Sequence, residues 1–153
     1  MPTLLVGAQS RSGTTAQLRD AFVAGAREPE IEGVDGVVRN ALDARAADVV
    51  TCDGVAIITP EHFGSMAGLM KDFFERIFSE IVDTGRSLPY ALVVKGNHDG
   101  TGTVEGVQKL AVALHWRRVL DPVVAIGELT DAHREAAHEL GATFAAGMAA
   151  TIF

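Results

Sequence analysis

The sequence predicts an α/β fold in which a parallel β-sheet is covered by helices on both faces. Short apolar runs alternate with segments of helical periodicity from one end of the chain to the other. Most of the glycines lie at the boundaries between these segments. Hydrophobic residues make up 48% of the 153 residues, enough for a substantial core and incompatible with a disordered chain. We therefore expect a single domain over residues 1–153.

The first strand is expected over residues 3–7, which form a short apolar run. A helix should follow over residues 14–26, because Leu18, Phe22 and Ala26 are four residues apart and would share one helix face. This first strand and helix set the alternation that the rest of the chain repeats.

A weak second strand is expected over residues 31–39, where Gly33 and Gly36 interrupt the pattern as they can in an edge strand. A short helix should span residues 44–50. Residues 54–58 are apolar throughout and predict a buried third strand.

The next helix has the clearest amphipathic pattern in the chain, with apolar residues at helical spacing over residues 66–81 and Ser65 as its predicted N-cap. Residues 88–95 predict the fourth strand. Thr103 should cap a further helix that continues to residue 114.

The fifth strand is expected over residues 119–126, and its Pro122 favours an edge position because proline cannot donate to a ladder. The last helix should start near residue 131. The strand order 2-1-3-4-5 places both imperfect strands at the edges, and right-handed crossovers leave few other arrangements. Ligands of such sheets bind beyond the carboxyl ends of the strands, which indicates the loops at residues 8–15, 59–66 and 96–103.

The first of these loops is rich in hydroxyl groups and stands directly before a helix, an arrangement suited to a phosphate. It lacks the lysine and the spacing of a nucleotide-triphosphate loop, and it lacks the dinucleotide fingerprint. Residues 10–15 read Ser-Arg-Ser-Gly-Thr-Thr, and here the chain resembles flavodoxins and flavodoxin-like FMN reductases, which hold the flavin phosphate in such a loop. A plain Ser/Thr-capped helix start is the alternative.

The second loop resembles the family's next flavin segment, a Pro-x-x-Phe/Tyr-Gly-Ser/Asn-Met stretch before an amphipathic helix, found in quinone reductases related to flavodoxin. The chain has Pro60 to Met66 in this pattern. Gly64 would let the backbone approach a flat ring closely. Phe63 is either part of that site or a core residue under the loop, and His62 is either a ring contact or a solvated loop residue.

The third loop lies where the family has its last flavin segment. Asn97, Asp99 and nearby backbone N–H groups could bind the polar edge of the ring, although the reductases usually have more glycine here. His98 and Asp99 could also be a catalytic dyad, but no nucleophile accompanies them in a fitting motif. The run from Asn97 to Gly100 is also compatible with ordinary turn chemistry.

The resemblance implies a flavodoxin-like three-layer sandwich with a five-stranded parallel sheet, and FMN as the cofactor with NADH or NADPH as electron donor. It implies cofactor contacts from all three loops: Ser10, Arg11, Ser12, Gly13, Thr14, Thr15, Pro60, Glu61, His62, Phe63, Gly64, Gly96, Asn97, Asp99 and Gly100. No side-chain acid or base is required for hydride transfer, so no catalytic residue is predicted, and no metal site is expected.

The function implied is an NAD(P)H-dependent reductase that passes electrons to a quinone or a similar small acceptor. The alternative is a flavodoxin, a one-electron carrier for protein partners. Flavodoxins typically shield the ring with tryptophan and tyrosine, whereas Trp116 and Tyr90 lie outside the three loops. A flavin-free module that kept the fold is a third alternative.

Composition limits the partners and the compartment. A net charge of -7 argues against non-specific binding of nucleic acid or an anionic membrane surface. No apolar run is long enough for a membrane span, and the start of the chain does not resemble a signal peptide. The single cysteine, Cys52, is expected to be a buried residue rather than a redox thiol, which fits a cytoplasmic protein. Whether the chain forms a homodimer is an open question at this point.

Overall fold

The computed structural model describes the whole chain, residues 1–153, as a parallel sheet with helices on both faces. The strands are β1 (Thr3–Ala8), β2 (Asp35–Asn40), β3 (Gly54–His62), β4 (Ser65–Met66), β5 (Pro89–Gly96), β6 (Arg117–Arg118) and β7 (Val123–Ile126). The helices are α1 (Thr14–Ala26), α2 (Ala46–Val50), α3 (Gly68–Ile81), α4 (Thr101–Ala113) and α5 (Asp131–Ala149), with one 3₁₀ turn at Val82–Thr84.

The predicted sheet order is confirmed. Strands β2, β1, β3 and β5 pair in parallel, and both β6 and β7 pair with β5 at the far edge. The sheet has seven strands instead of the five expected. One extra strand is β4, which pairs antiparallel with the end of β3. The other is β6, which precedes the predicted fifth strand; that strand itself forms only over its last four residues, as β7, with Pro122 outside it.

Two apolar cores fill the spaces between the layers. On one face, Ile57, Leu92 and Val94 of the sheet pack with the buried side of α3, whose Phe73 and Phe74 are fully enclosed. The opposite face of the sheet packs against α1 and α5. Because successive strand residues alternate between these faces, each strand is apolar on both sides, as a covered parallel sheet requires.

Two glycines let α1 and α5 pack with their backbones in contact. A Cβ atom at Gly141 of α5 would overlap the carbonyl oxygen of Phe22, and one at Gly25 of α1 would overlap that of His138. The His138 imidazole also lies 2.9 Å from the carboxylate of Glu28, which links α5 to the segment just after α1. Small residues at these positions therefore set the distance between the helices.

Several element boundaries differ from the sequence predictions. Strand β2 begins at Asp35 rather than at residue 31. Helix α3 begins at Gly68 rather than after Ser65, because Ser65 and Met66 pair with β3 instead. Helix α4 begins at Thr101 with Gly100 as its N-cap, so the prediction that Thr103 caps it was wrong, and Thr103 is buried.

Cys52 is fully buried, as predicted, and burial raises the pKa of its thiol to about 11. A thiol with that pKa stays protonated at neutral pH and is a poor nucleophile, so a redox role is not supported. None of the helices combines the length and the apolar character needed to cross a bilayer.

Replacing Gly141 with alanine should lower the free energy of unfolding by about 1–3 kcal/mol, because the added methyl group forces the α1 and α5 backbones apart. Gly68→Ala is the matched control, since a Cβ there meets nothing within 4 Å. Urea unfolding of both variants measures the difference. Equal midpoints would show that the helix contact adapts without cost.

Candidate active site

The candidate site lies at the carboxyl edge of the sheet, where the loops after β1, β3 and β5 meet. The ladder aligns Ala8 with Ile58 and Pro60 with Lys95, so the three strands end close together. A cleft of about 130 Å³ opens between the loops. Its walls are polar apart from Pro60: Arg11, Ser12, Thr14, Thr15, Pro60, Glu61, His62, Lys95, Gly96 and Asn97.

The first wall is the turn between β1 and α1. The backbone N–H groups from Arg11 to Thr15 donate to no other group of the protein. Gly13, the N-cap of α1, has a φ of 93°, a conformation that suits glycine and turns these N–H groups outward from the helix end. The positive end of the helix dipole lies at the same place and adds to the positive potential there.

The hydroxyl groups of this turn have two different roles. The Ser10 hydroxyl accepts a hydrogen bond from the Ala16 N–H at 3.0 Å, so it holds the turn against the helix. The Ser12 and Thr14 hydroxyls lie 3.1 Å apart, bond only to each other and face the cleft. Ser12 and Thr14 are therefore free to bind an anion, whereas Ser10 is already engaged.

The second wall is the hairpin of residues 59–66, formed by the end of β3, β4 and a two-residue turn. Phe63 and Gly64 have φ values of 53° and 74°, as in the type I′ turn that matches strand twist. The Phe63 side chain is fully exposed and does not line the cleft, so its interpretation as a core residue was wrong. The hairpin rests on α4, because a Cβ at Gly102 would overlap the Gly64 carbonyl oxygen.

Thr59 secures the base of this hairpin. Its buried hydroxyl donates to the Pro60 carbonyl at 2.9 Å and accepts from the Ala67 N–H at 3.2 Å. Ala67 is the N-cap of α3, and its own side chain cannot satisfy the first N–H groups of that helix. Thr59 therefore joins β3, the hairpin and α3 through one side chain.

The third wall is the first part of the third loop, residues 96–100, because α4 begins at Thr101. The Asp99 carboxylate accepts the Thr101 N–H at 3.0 Å, and this bond holds the pKa of Asp99 below its usual range. Asp99 thus acts at the start of α4, and neither it nor His98 lines the cleft. Gly100 is buried at a φ of 74°, where a Cβ would lie 2.6 Å from Val124. This part of the loop shows the turn chemistry that was the alternative interpretation.

The sequence predictions missed Lys95 as a wall of the cleft. Lys95 shares a sheet face with Val93, which packs in the core beneath α1 and α5, so it lies on the side of the phosphate-type turn. Its ammonium contacts only the Gly96 carbonyl, at 3.5 Å. A charged residue at the end of an otherwise apolar strand was the available signal.

Comparison with known proteins now identifies the family. The family model described as NADPH-dependent FMN reductase matches residues 15–131. The chain belongs to this family. It is an FMN-binding flavodoxin-like protein, as the resemblance of its loops implied.

Individual relatives agree on the fold. A flavodoxin from Aquifex aeolicus is 28% identical over 81 residues, which are 53% of this chain and 43% of that protein. A flavodoxin, WrbA-like protein from Agrobacterium tumefaciens superposes with a TM-score of 0.80 at 17% identity, covering 99% of both chains. Rubredoxin oxygen:oxidoreductase from Desulfovibrio gigas gives a TM-score of 0.83 at 12% identity, but this chain covers only 37% of it.

The donor set of the cleft fits FMN. A phosphate requires N–H donors, hydroxyls and positive charge, and the first wall offers free N–H groups beside Ser12, Thr14 and Arg11. Lys95 adds a second cation. The hairpin and the third loop offer backbone edges for a planar ring. No cluster of His, Cys, Asp and Glu side chains has the arrangement of a metal site.

Thr59→Val should destabilise the protein by about 1–3 kcal/mol, because the isosteric side chain leaves the buried Ala67 N–H without an acceptor. Thr59→Ser keeps the hydroxyl and should recover most of the loss. Denaturant unfolding of both variants provides the comparison. If valine costs no more than serine, the hydroxyl and its hydrogen bond do not stabilise the protein.

Proposed function

We propose that the protein is an FMN-dependent oxidoreductase that takes electrons from NADPH or NADH and passes them to a quinone or a similar small acceptor. Bound FMN would supply the hydride-accepting chemistry, and the protein would supply binding, orientation and access. The family match supports this proposal, while the acceptor rests on the resemblance of the hairpin to quinone reductases.

The observation that carries the proposal is that the two aromatic residues most able to shield a flavin are committed to the core. Trp116 is 2% exposed and packs on Phe74, with ring centroids 5.7 Å apart. Tyr90 is fully buried and its hydroxyl donates to Gln108. Neither side chain can cover a ligand at the carboxyl edge, so the tryptophan and tyrosine shield typical of flavodoxins would be absent from a bound ring.

Within the cleft, the chain's own residues would orient the cofactor. We place the phosphate at the free N–H groups between Arg11 and Thr15, with the Ser12 and Thr14 hydroxyls as further donors. Arg11 and Lys95 would neutralise its charge. The ring would then extend toward the hairpin and the third loop, where Pro60, Glu61 and Gly96 line the cleft.

The second candidate function is electron transfer to a protein partner. The Aquifex aeolicus relative is named a flavodoxin, and the exposed Phe63 side chain could contact another protein. A carrier needs no second-substrate access, so kinetics with a nicotinamide distinguish the two functions.

Replacing Ser12 and Thr14 together with alanine should weaken FMN binding far more than riboflavin binding, because only FMN carries the phosphate. Two hydrogen bonds to a charged group are worth roughly 1.5–3 kcal/mol each, so the affinity for FMN should fall at least tenfold for each bond removed. Fluorescence titration of the flavin-free protein measures both ligands.

Ser79→Ala is the matched control for this experiment, since it removes an exposed hydroxyl from α3 outside the cleft. It should leave both affinities unchanged. Equal losses of FMN and riboflavin in the double variant would contradict a phosphate role for the turn.

The FMN-loaded protein should oxidise NADPH or NADH steadily in the presence of a benzoquinone, with ping-pong kinetics. Reductive titration should proceed in a single two-electron stage, because an unshielded ring would gain no stabilisation of the one-electron-reduced form. His62→Trp should slow NADPH oxidation more than it weakens FMN binding, since residue 62 lines the cleft and stacking itself favours flavin retention. Absence of turnover together with two separate one-electron stages would favour the carrier.

A further inference from the structure

One contact joins the hairpin directly to the third loop. The Glu61 carboxylate accepts the His98 backbone N–H at 3.0 Å, across 37 residues of sequence. Glu61 is half-buried and lines the cleft, while the His98 side chain is exposed. Apart from the ladder between β3 and β5, this is the hydrogen bond that ties the two loops together.

The path of the Glu61 side chain depends on the absence of a side chain at Gly96. A Cβ atom on Gly96 would lie 2.7 Å from the Glu61 carboxylate oxygen and 3.1 Å from its Cβ. The carboxylate therefore crosses over the Gly96 backbone to reach His98. Gly96 is required here for a close approach within the protein and not for a left-handed φ.

The charges of the cleft are separated by the sheet. Glu61 shares a sheet face with Ile57, on the side of α3 and α4, while Lys95 lies on the side of α1 and α5. The positive side holds the free N–H groups suited to a phosphate. The carboxylate stands on the opposite side, between the two loops that would hold the ring.

We propose that Glu61 is a positioning residue: its carboxylate orders the third loop for flavin binding and places a negative charge beside the bound ring. Only the redox part of this inference depends on the proposed function. The ordering of the loop is a property of the protein without FMN. A loop already fixed in place loses less entropy when a ligand binds, so affinity increases. A nearby negative charge disfavours the uptake of electrons and lowers the midpoint potential.

Three variants separate the hydrogen bond from the charge. Glu61→Ala removes both the acceptor and the charge. Glu61→Gln keeps an acceptor oxygen and removes the charge. Gly96→Ala keeps the carboxylate but displaces it, because the new Cβ occupies its path.

The first measurement is hydrogen exchange of the His98 amide in the FMN-free protein. Exchange should be about tenfold faster in Glu61→Ala and in Gly96→Ala, and close to wild type in Glu61→Gln. Affinity should follow the same order, with FMN and riboflavin weakened equally, unlike the Ser12 and Thr14 variant. Unchanged exchange in Glu61→Ala would overturn the ordering role.

The second measurement is the midpoint potential of bound FMN, determined against a reference dye. Glu61→Gln should shift the potential upward while retaining normal affinity, a result that a purely structural role would not give. An unchanged potential would overturn the role of the charge. If the wild type binds no FMN while His98 exchange still depends on Glu61, the proposed function fails and the ordering role stands.

Discussion

The parallel ladder of β1, β3 and β5 is the constraint on which the site depends. Its register brings Ala8, Pro60 and Lys95 to one edge, so three loops far apart in sequence share the walls of a single cleft. Moving a strand by one residue would exchange its two apolar faces and mispack both cores, so the core packing disfavours any other register. Core packing therefore fixes the site geometry before any ligand is present.

The fold could be predicted because apolar strands that alternate with amphipathic helices bury their apolar surfaces best in a parallel sheet covered on both faces. The exceptions are local. Ser65 matched a helix cap by residue type, but its backbone pairs with His62, and the buried Thr59 hydroxyl binds the Ala67 N–H instead. Arg117 lies between the predicted helix and the predicted fifth strand, yet it pairs with Pro89 of β5. Such tertiary contacts override local signals and are invisible in the sequence.

The site was predictable at the level of loops and less so at the level of side chains. Turn chemistry explains Asp99, whose carboxylate is engaged by the start of α4, and Ser10, whose hydroxyl is engaged by α1. Judged by residue type alone, aspartate and serine would bind a ligand equally well. Only their hydrogen-bond partners show that folding already uses them. Lys95 was missed because its position at the end of a strand does not show which loops its side chain lies beside.

The two ends of the sheet differ in whether their polar groups are satisfied. At the amino end, Arg86 donates to the carbonyls of Val50 and Cys52, and Asp53 accepts the Thr3 N–H at 2.8 Å. Here the chain's own side chains satisfy these backbone groups.

At the carboxyl end, the run of N–H groups before α1 has no partner, and the cations beside it face a carboxylate only across the sheet. Unpaired donors are costly unless water or a ligand satisfies them. These donors are therefore available to a ligand, and they suit the proposed orientation of FMN with its phosphate toward α1. Stability at one end and binding at the other are consequences of how the same strands distribute their hydrogen bonds.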